Sequence, residues 1–315
     1  VKTSSDRKAY VITGPTSGIG YRTALELAKH GTVVLVGRDR QKLDVVQKKI
    51  EKAGQHAISV VGDLSDLASV RRAAAEIVAL DLPIAGVVNN AGIMQARAAT
   101  KNALGWDMSF ATNHVGPFVL TEALIPHLPD GANVLFVVSA VEDPERKPAV
   151  MAGFRGSRYI SAEASARAEW KPGGSTKQGF DAYATSKQAG LATAMAFARE
   201  NPRLHINAVE PGFNPATSLG GDAGAFLRFM QSFVIPLLVP LFMPFMKILS
   251  TSKRAGRVIT KIVTDTSDQT GVYYDEGGVP MRGSSEVHDP AFQDRVVAET
   301  RALLSTIPAS SKAKA

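Results

Sequence analysis

The chain has 315 residues, 45% of them apolar and 21% charged, with a formal net charge of +7. Enough apolar side chain for a large core excludes a disordered or fibrous protein, and the dispersal of the basic residues argues against a nucleic-acid partner. Cysteine is absent, which excludes disulfides, thiolate metal centres and a catalytic thiol, and fits a reducing, cytoplasmic setting.

In chain order, the segment from Val1 to Lys8 is short and polar and runs straight into a strand, so no signal peptide is expected ahead of the fold. Short β-branched runs at Tyr10 to Thr13, Val33 to Val36, Ile58 to Val61, Gly86 to Asn89, Val134 to Ser139 and His205 to Val209 read as buried strands. Between them, Ile19 to His30, Gln41 to Ala53, Ser65 to Leu80, Gly116 to His127 and Tyr183 to Glu200 have the length of crossover helices. The alternation predicts an α/β fold with a doubly wound parallel sheet of Rossmann type, built as a single domain over residues 1–315.

Two stretches break this rhythm. Residues 141–180 are rich in Ala, Gly, Ser, Arg and Pro and predict a mostly irregular insertion with one short helix around Ala162 to Glu169. Residues 213–250 form the second, whose core from Ala223 to Leu249 is strongly apolar and carries Pro236, Pro240 and Pro244. Those prolines oppose a straight spanning helix, and Arg228 and Gln231 interrupt the run, so a substrate lid is the leading expectation. The same side chains also fit an oligomer interface or a peripheral membrane foot. Further on, a helix is expected over Lys253 to Thr264, an edge strand over Gly271 to Tyr274, a helix over Pro290 to Leu304, and a disordered tail over residues 310–315.

Gly14, Gly18 and Gly20 fall between the first strand and the first helix, within Thr13-Gly-Pro-Thr-Ser-Gly-Ile-Gly20. Glycines there permit a tight turn and bring a pyrophosphate close to backbone N–H groups at a helix N-terminus. Any strand-to-helix turn can use glycine, so the weight lies in the position. Arg38 ends the second strand, where an acidic residue would select a ribose 2′-hydroxyl. A guanidinium there pairs with a 2′-phosphate, so NADP(H) is expected, with Thr16 and Ser17 as extra donors and Ile19 beside them. An inward Asp39 carboxylate would instead fit NAD.

Tyr183 and Lys187 stand four residues apart and share one helix face, where an ammonium is expected to lower the pKa of the phenol. Ser139 closes the fifth strand at the edge where such sheets bind ligands, placed to hold a substrate oxygen. A strand-end serine can equally be a satisfied buried hydroxyl. The histidines His30, His56, His114, His127, His205 and His288 show no close pair, so no metal is expected.

The pattern Thr-Gly-x-x-x-Gly-x-Gly, then Asp63, Asn89-Asn90-Ala91-Gly92, Asn113, Ser139 and Tyr183-x-x-x-Lys187, resembles the short-chain dehydrogenase/reductase family over nearly the whole chain. The long gap from Ser139 to Tyr183, the run Glu210-Pro-Gly-Phe-Asn-Pro215 and the apolar lid are similar to the retinol dehydrogenase and protochlorophyllide reductase branch. The resemblance implies that Asp63, with Leu64, contacts adenine and that Asn90, Ala91 and Gly92 steady the central strand. It also implies that Asn113 supports a water-linked proton relay to Lys187, that Lys187 grips the nicotinamide ribose, and that Pro211 and Gly212 run along the nicotinamide. Thr217 would contact the carboxamide, although one extra residue separates it from the Pro-Gly pair. Read from the residues alone, Asp63 also fits a helix cap and Asn-Gly pairs also fit plain turns.

The expected activity is NADP(H)-dependent interconversion of a lipophilic ketone or aldehyde and its alcohol, with Tyr183 as acid and base. The rivals are an NADP(H)-sensing protein without turnover and a scaffold at a membrane surface. Relatives dimerise through the catalytic helix, and the insertion is placed to cover that face, so the oligomeric state stays open between monomer and dimer.

Overall fold

The computed structural model describes residues 8–95, 100–177, 179–212 and 251–307. The expected lid from 223 to 249, Thr217 and the tail from 310 to 315 lie outside the described residues. Seven strands form one parallel sheet: β1 (Ala9–Thr13), β2 (Thr32–Gly37), β3 (Ala57–Val61), β4 (Ile84–Asn89), β5 (Asn133–Val137), β6 (His205–Val209) and β7 (Tyr273–Tyr274). Their spatial order is β3-β2-β1-β4-β5-β6-β7. The chain therefore winds outward from β1 to one edge, then returns to β4 and winds outward to the other. Between the carboxyl ends of β1 and β4 the loops diverge, leaving the crevice where open parallel sheets take ligands.

Both faces of the sheet are covered, which explains the near-continuous apolar strands. Val11, Val34, Val36, Val87, Val134 and Phe136 point into one core, while Tyr10, Ile12, Val33, Leu35, Val88, Leu135 and Val137 point into the other. Side chains alternate across a strand, so a strand buried on both faces must be apolar at every position. Helices α1 (Gly18–Leu27) and α2 (Arg40–Lys52) lie on the second face, and α3 (Leu67–Ala79) on the first. In α2, Leu43, Val46 and Ile50 make the buried stripe, Asp39 caps the start, and Lys49 and Lys52 meet the negative end of the helix dipole.

After β4 the helical stretch begins earlier than the sequence suggests. Asp107 caps α4 (Met108–Phe110), a wider π turn covers Ala111–Val115, α5 spans Gly116–Leu124, and Ile125–His127 forms a 3₁₀ turn. Strand β5 stops at Val137, so Ser139 sits just beyond it, at the start of a 3₁₀ turn over Ala140–Glu142. The insertion is also more ordered than expected. It contains α6 (Lys147–Ala152) besides α7 (Ala162–Arg167), each closed by a left-handed residue, Gly153 and Ala168. Six-residue helices are too short to announce themselves by periodicity.

The catalytic-pattern helix α8 (Phe180–Glu200) starts three residues before the expected Tyr183, and every residue from Ala182 to Ala198 except Met195 is buried. Small alanine side chains let its neighbours approach closely. The outer side is covered by α7 and by α10 (Pro290–Ser305), while α9 (Ser252–Val263) packs on α1 across the sheet. The insertion is tied to α10 by Tyr159, whose hydroxyl donates to Glu299 Oε2 at 2.7 Å while the Ala162 N–H donates to the same oxygen at 3.1 Å. Among the described residues no helix is long and apolar enough to cross a membrane.

Tyr159 is 1% exposed and its ring meets Phe292 edge-on. Replacing Tyr159 with Phe keeps that contact and removes a hydrogen bond to a carboxylate, an expected loss of about 1.5–3 kcal/mol. Urea unfolding measures the loss, and limited proteolysis is expected to show faster cleavage within residues 141–180.

Candidate active site

The carboxyl end of β1 leads into a cleft of about 330 Å3. Its walls include Gly14, Thr16, Ser17, Gly18, Ile19 and Gly20 from the first turn, Arg38 after β2, and Asp63 and Leu64 after β3. Asn90, Ala91 and Gly92 come from the end of β4, Tyr183 and Lys187 from α8, and Pro211 from the segment after β6. Gly212 adjoins Pro211. Residues as far apart in sequence as Gly14 and Pro211 thus face one space because parallel strands all end on the same side of the sheet.

The turn before α1 is built for close approach. Gly14 has φ +68°, and a Cβ on Gly20 would stand 2.1 Å from the Gly14 carbonyl oxygen. Ser17 precedes α1 without a side-chain cap bond, which leaves first-turn N–H groups for an anion. The turn is clamped from β4. Thr13 Oγ1 accepts from the N–H groups of Asn90 and Ala91, both at 3.0 Å, and Asn90 Nδ2 donates to the Thr13 carbonyl at 2.9 Å. Thr13 escaped the sequence reading because a buried threonine in a strand has no distinctive signature.

At the end of β2 the neighbouring charges separate. Arg38 is exposed and faces the cleft. Asp39 Oδ1 accepts from the Lys42 N–H at 3.1 Å, and its Oδ2 pairs with Lys42 Nζ at 3.2 Å. These bonds hold the Asp39 carboxyl below its ordinary range and commit it to the cap of α2. Asp63 folds back locally, with Oδ1 accepting from the Ser65 N–H at 2.9 Å and its hydroxyl at 2.7 Å; the cap of α3 is Asp66.

Tyr183 and Lys187 stand on the cleft wall, and Ser139, which is not itself on that wall, lies beside both the Tyr183 phenol and the Glu210 carboxylate and favours the ionised form of each. Lys187 Nζ donates to the Val137 carbonyl at 2.9 Å and lies 5.6 Å from the centroid of the Tyr183 ring. A Cβ on Gly92 would come within 3.2 Å of that ammonium. Burial pulls Lys187 down to about 8, with Glu210 opposing.

Two expectations change here. Tyr183 is not made more acidic: its phenol is pushed above its ordinary value, first by burial and then by the charge of Glu210. Taking a phenolate out of water costs more than a lysine directed at a main-chain carbonyl returns. The side chain of Asn113, expected in a relay to Lys187, is engaged elsewhere. Its Oδ1 accepts from the Ile93 N–H and its Nδ2 donates to the Ile93 carbonyl, each at 2.8 Å, with a further bond to Ser186 Oγ at 3.0 Å. Asn113 is thus a clamp joining the segment after β4 to α8, presented by the π turn.

Glu210 was missed as a site residue. It directly follows the buried run of β6, is 6% exposed, and accepts from the N–H groups of Ala140 and Gly212, the latter at 2.9 Å. An acid ending an apolar strand was the available signal. Near Tyr183 the surface is apolar: Phe154 stacks on Phe180 at 4.0 Å, and Met94 and Val141 pack against the same cluster.

A second buried acid, Glu142, lies three residues beyond Ser139. It accepts from the Ser284 N–H at 2.9 Å and hydroxyl at 2.6 Å, and Gln188 Nε2 donates to that Ser284 oxygen at 3.1 Å. Burial raises its pKa from 4.5 to about 7. Between those values the folded chain holds a proton that the unfolded chain has released. The contribution of Glu142 to stability therefore falls as pH rises through that window, by roughly 3 kcal/mol in all. Glu142→Gln is expected to remove this slope, read as the difference between variant and wild type in urea unfolding across the pH range.

A family model described as short chain dehydrogenase matches residues 8–150. A short-chain dehydrogenase/reductase of Armillaria gallica is 30% identical over 235 residues, 73% of this chain and 72% of that protein. Human retinol dehydrogenase 13 is 37% identical over 124 residues, a match confined to 38% of this chain and 37% of that protein. Among solved structures, a short chain dehydrogenase from Burkholderia cenocepacia in complex with NADP superposes with a TM-score of 0.62 at 22% identity, covering 86% of this chain and 96% of that one.

Proposed function

The chain belongs to the short-chain dehydrogenase/reductase family, in its retinol dehydrogenase-like branch, and from that membership we propose that it interconverts a lipophilic aldehyde or ketone and its alcohol with NADP(H). Membership makes it an oxidoreductase that works with a nicotinamide dinucleotide. The observation that carries the finer reading is that Tyr183, with Ser139 beside it, and Lys187 share one cleft with the glycine turn and Arg38.

The cleft has the donor set that a phosphorylated dinucleotide requires. Gly14, Ser17, Gly18, Ile19 and Gly20 would hold the pyrophosphate, Asp63 and Leu64 the adenine, and Tyr183 and Lys187 the nicotinamide ribose, with Pro211 and Gly212 alongside the nicotinamide. The preference for a 2′-phosphate is supported by the split between Arg38, on the cleft wall, and Asp39, committed to Lys42. When bound, the cofactor supplies or accepts the hydride at the substrate carbon.

Tyr183 donates its proton to the substrate oxygen in reduction and takes it back in oxidation. Ser139 seats that oxygen by hydrogen bonding and stabilises the charge that develops there. Lys187 contributes positive charge beside the phenol, and Asn113 holds the wall in register. Because burial keeps Tyr183 protonated, the resting centre is in the form that serves carbonyl reduction. The apolar cluster of Phe154, Phe180, Met94 and Val141 around Tyr183 supports a lipophilic substrate.

A panel of hydrophobic aldehydes and ketones assayed for NADPH oxidation tests this reading. Turnover is expected, with a fall on the order of 10^3-fold in kcat for Tyr183→Phe. Arg38→Glu is expected to weaken NADPH binding by at least about tenfold while leaving NADH less affected. NADPH binding without turnover of any carbonyl, or full activity in Tyr183→Phe, overturns the proposal and leaves a dinucleotide sensor in its place.

A further inference from the structure

We propose that Glu210 is a positioning residue of this centre: its carboxylate anchors the Ser139 hydroxyl from beneath and serves as the counter-charge of the buried Lys187 ammonium. The inference rests on the oxidoreductase reading above. It starts from placement. Glu210 follows β6 directly, its own N–H donates to the Tyr274 carbonyl on β7 at 2.8 Å, and its carboxylate accepts from Ala140 beyond β5 and from Gly212. One residue, by its backbone and its side chain, therefore joins the ends of three strands at the edge of the cleft.

An acceptor needed only to satisfy two backbone N–H groups does not require a charge, because a neutral carbonyl oxygen does the same at lower desolvation cost. The remaining contacts of Glu210 are with the reacting groups. Its Ala140 bond fixes the residue next to Ser139, which interacts with both Glu210 and Tyr183, and the Lys187 ammonium, held on the Val137 carbonyl at the end of β5, feels its charge. Among the described residues, Arg146, ahead of α6, also favours its charge, and Tyr273, on β7, feels that charge and has a buried hydroxyl with no hydrogen-bond partner there. Burial raises the Glu210 carboxyl above its ordinary range, and the backbone N–H bonds to both its oxygens oppose that rise and favour the ionised form.

Fixing the Ser139 rotor matters because a hydroxyl can donate or accept in several directions, and only some suit a substrate oxygen. Anchoring it to Glu210 limits that choice before substrate arrives. The counter-charge has a separate consequence. Lys187 loses its proton near the working range, at about 8, and the negative charge of Glu210 acts to delay that loss. Without it, the ammonium beside Tyr183 disappears at a lower pH.

The test uses the cofactor-free full chain labelled with 13C at the lysine ε-carbon, the Lys187 signal being identified by its loss in Lys187→Met. In Glu210→Gln the titration midpoint of Lys187 is expected to fall by about 1 pH unit, and in Glu210→Asp, which keeps the charge, to stay at the wild-type value. An unchanged midpoint in Glu210→Gln overturns the counter-charge. For Ser139, a double-mutant cycle with NADPH and a hydrophobic aldehyde applies. Glu210→Asp is expected to lower kcat on the order of 10- to 100-fold with little change in KM in the wild-type background. In the Ser139→Ala background the same change is expected to cost less than about twofold.

Equal losses in the two backgrounds overturn the positioning role. Should Glu210→Gln not fold, the cycle with Glu210→Asp decides. Should the wild type reduce no carbonyl, the functional reading fails and the lysine titration alone decides the role of Glu210.

Discussion

The organisation of this protein turns on the cost of keeping ionisable groups together out of water. Tyr183, Lys187 and Glu210 are each less than a tenth exposed, in a space where a charge without a partner is strongly disfavoured. Burial pushes the phenol up and the ammonium down, so neither group keeps the acidity it has in solution. Glu210 then acts on both through its charge and on Ser139 through a hydrogen bond. The chemistry of the centre is set by that arrangement as much as by the identity of the tyrosine and lysine.

Holding such groups in place requires a rigid frame, and the sheet supplies it. Two clamps carry the frame to the cleft: Thr13 with Asn90 and Ala91 on one side, and Asn113 with Ile93 and Ser186 on the other. The first joins the carboxyl ends of the neighbouring strands β1 and β4, and the second ties the segment after β4 to the π turn and to α8. The segment after β4 is thereby fixed at both ends, and it carries Gly92 against Lys187. The π turn belongs to the same scheme, since widening one helical turn presents Asn113 to Ile93 without displacing the hydrophobic face that continues into α5.

The insertion and the last helix form a further layer. α7 and α10 enclose α8, and the bond from Tyr159 to Glu299 ties the two together. The segment at Phe154 meanwhile turns apolar surface toward Tyr183. The insertion thus serves both the outer packing of α8 and the surroundings of the phenol.

The alternation of apolar runs with amphipathic stretches determined the parallel sheet, because a strand covered on both faces must be apolar throughout and a helix covered on one must not. Glycine spacing, the charge of Arg38, and the interval between Tyr183 and Lys187 likewise marked residues that line one cleft, since each is a local property of a turn, a side chain or a helix face. The short helix α6, the π turn, and the engagement of Asn113 were illegible, as each depends on contacts with segments far away in the chain. Only the tertiary structure decided that Asp39 belongs to Lys42, that Glu210 belongs to the site, and that Tyr183 is raised rather than lowered. Burial and the direction of a side chain are properties of the assembled fold, and those two quantities fix the acidity of a buried group.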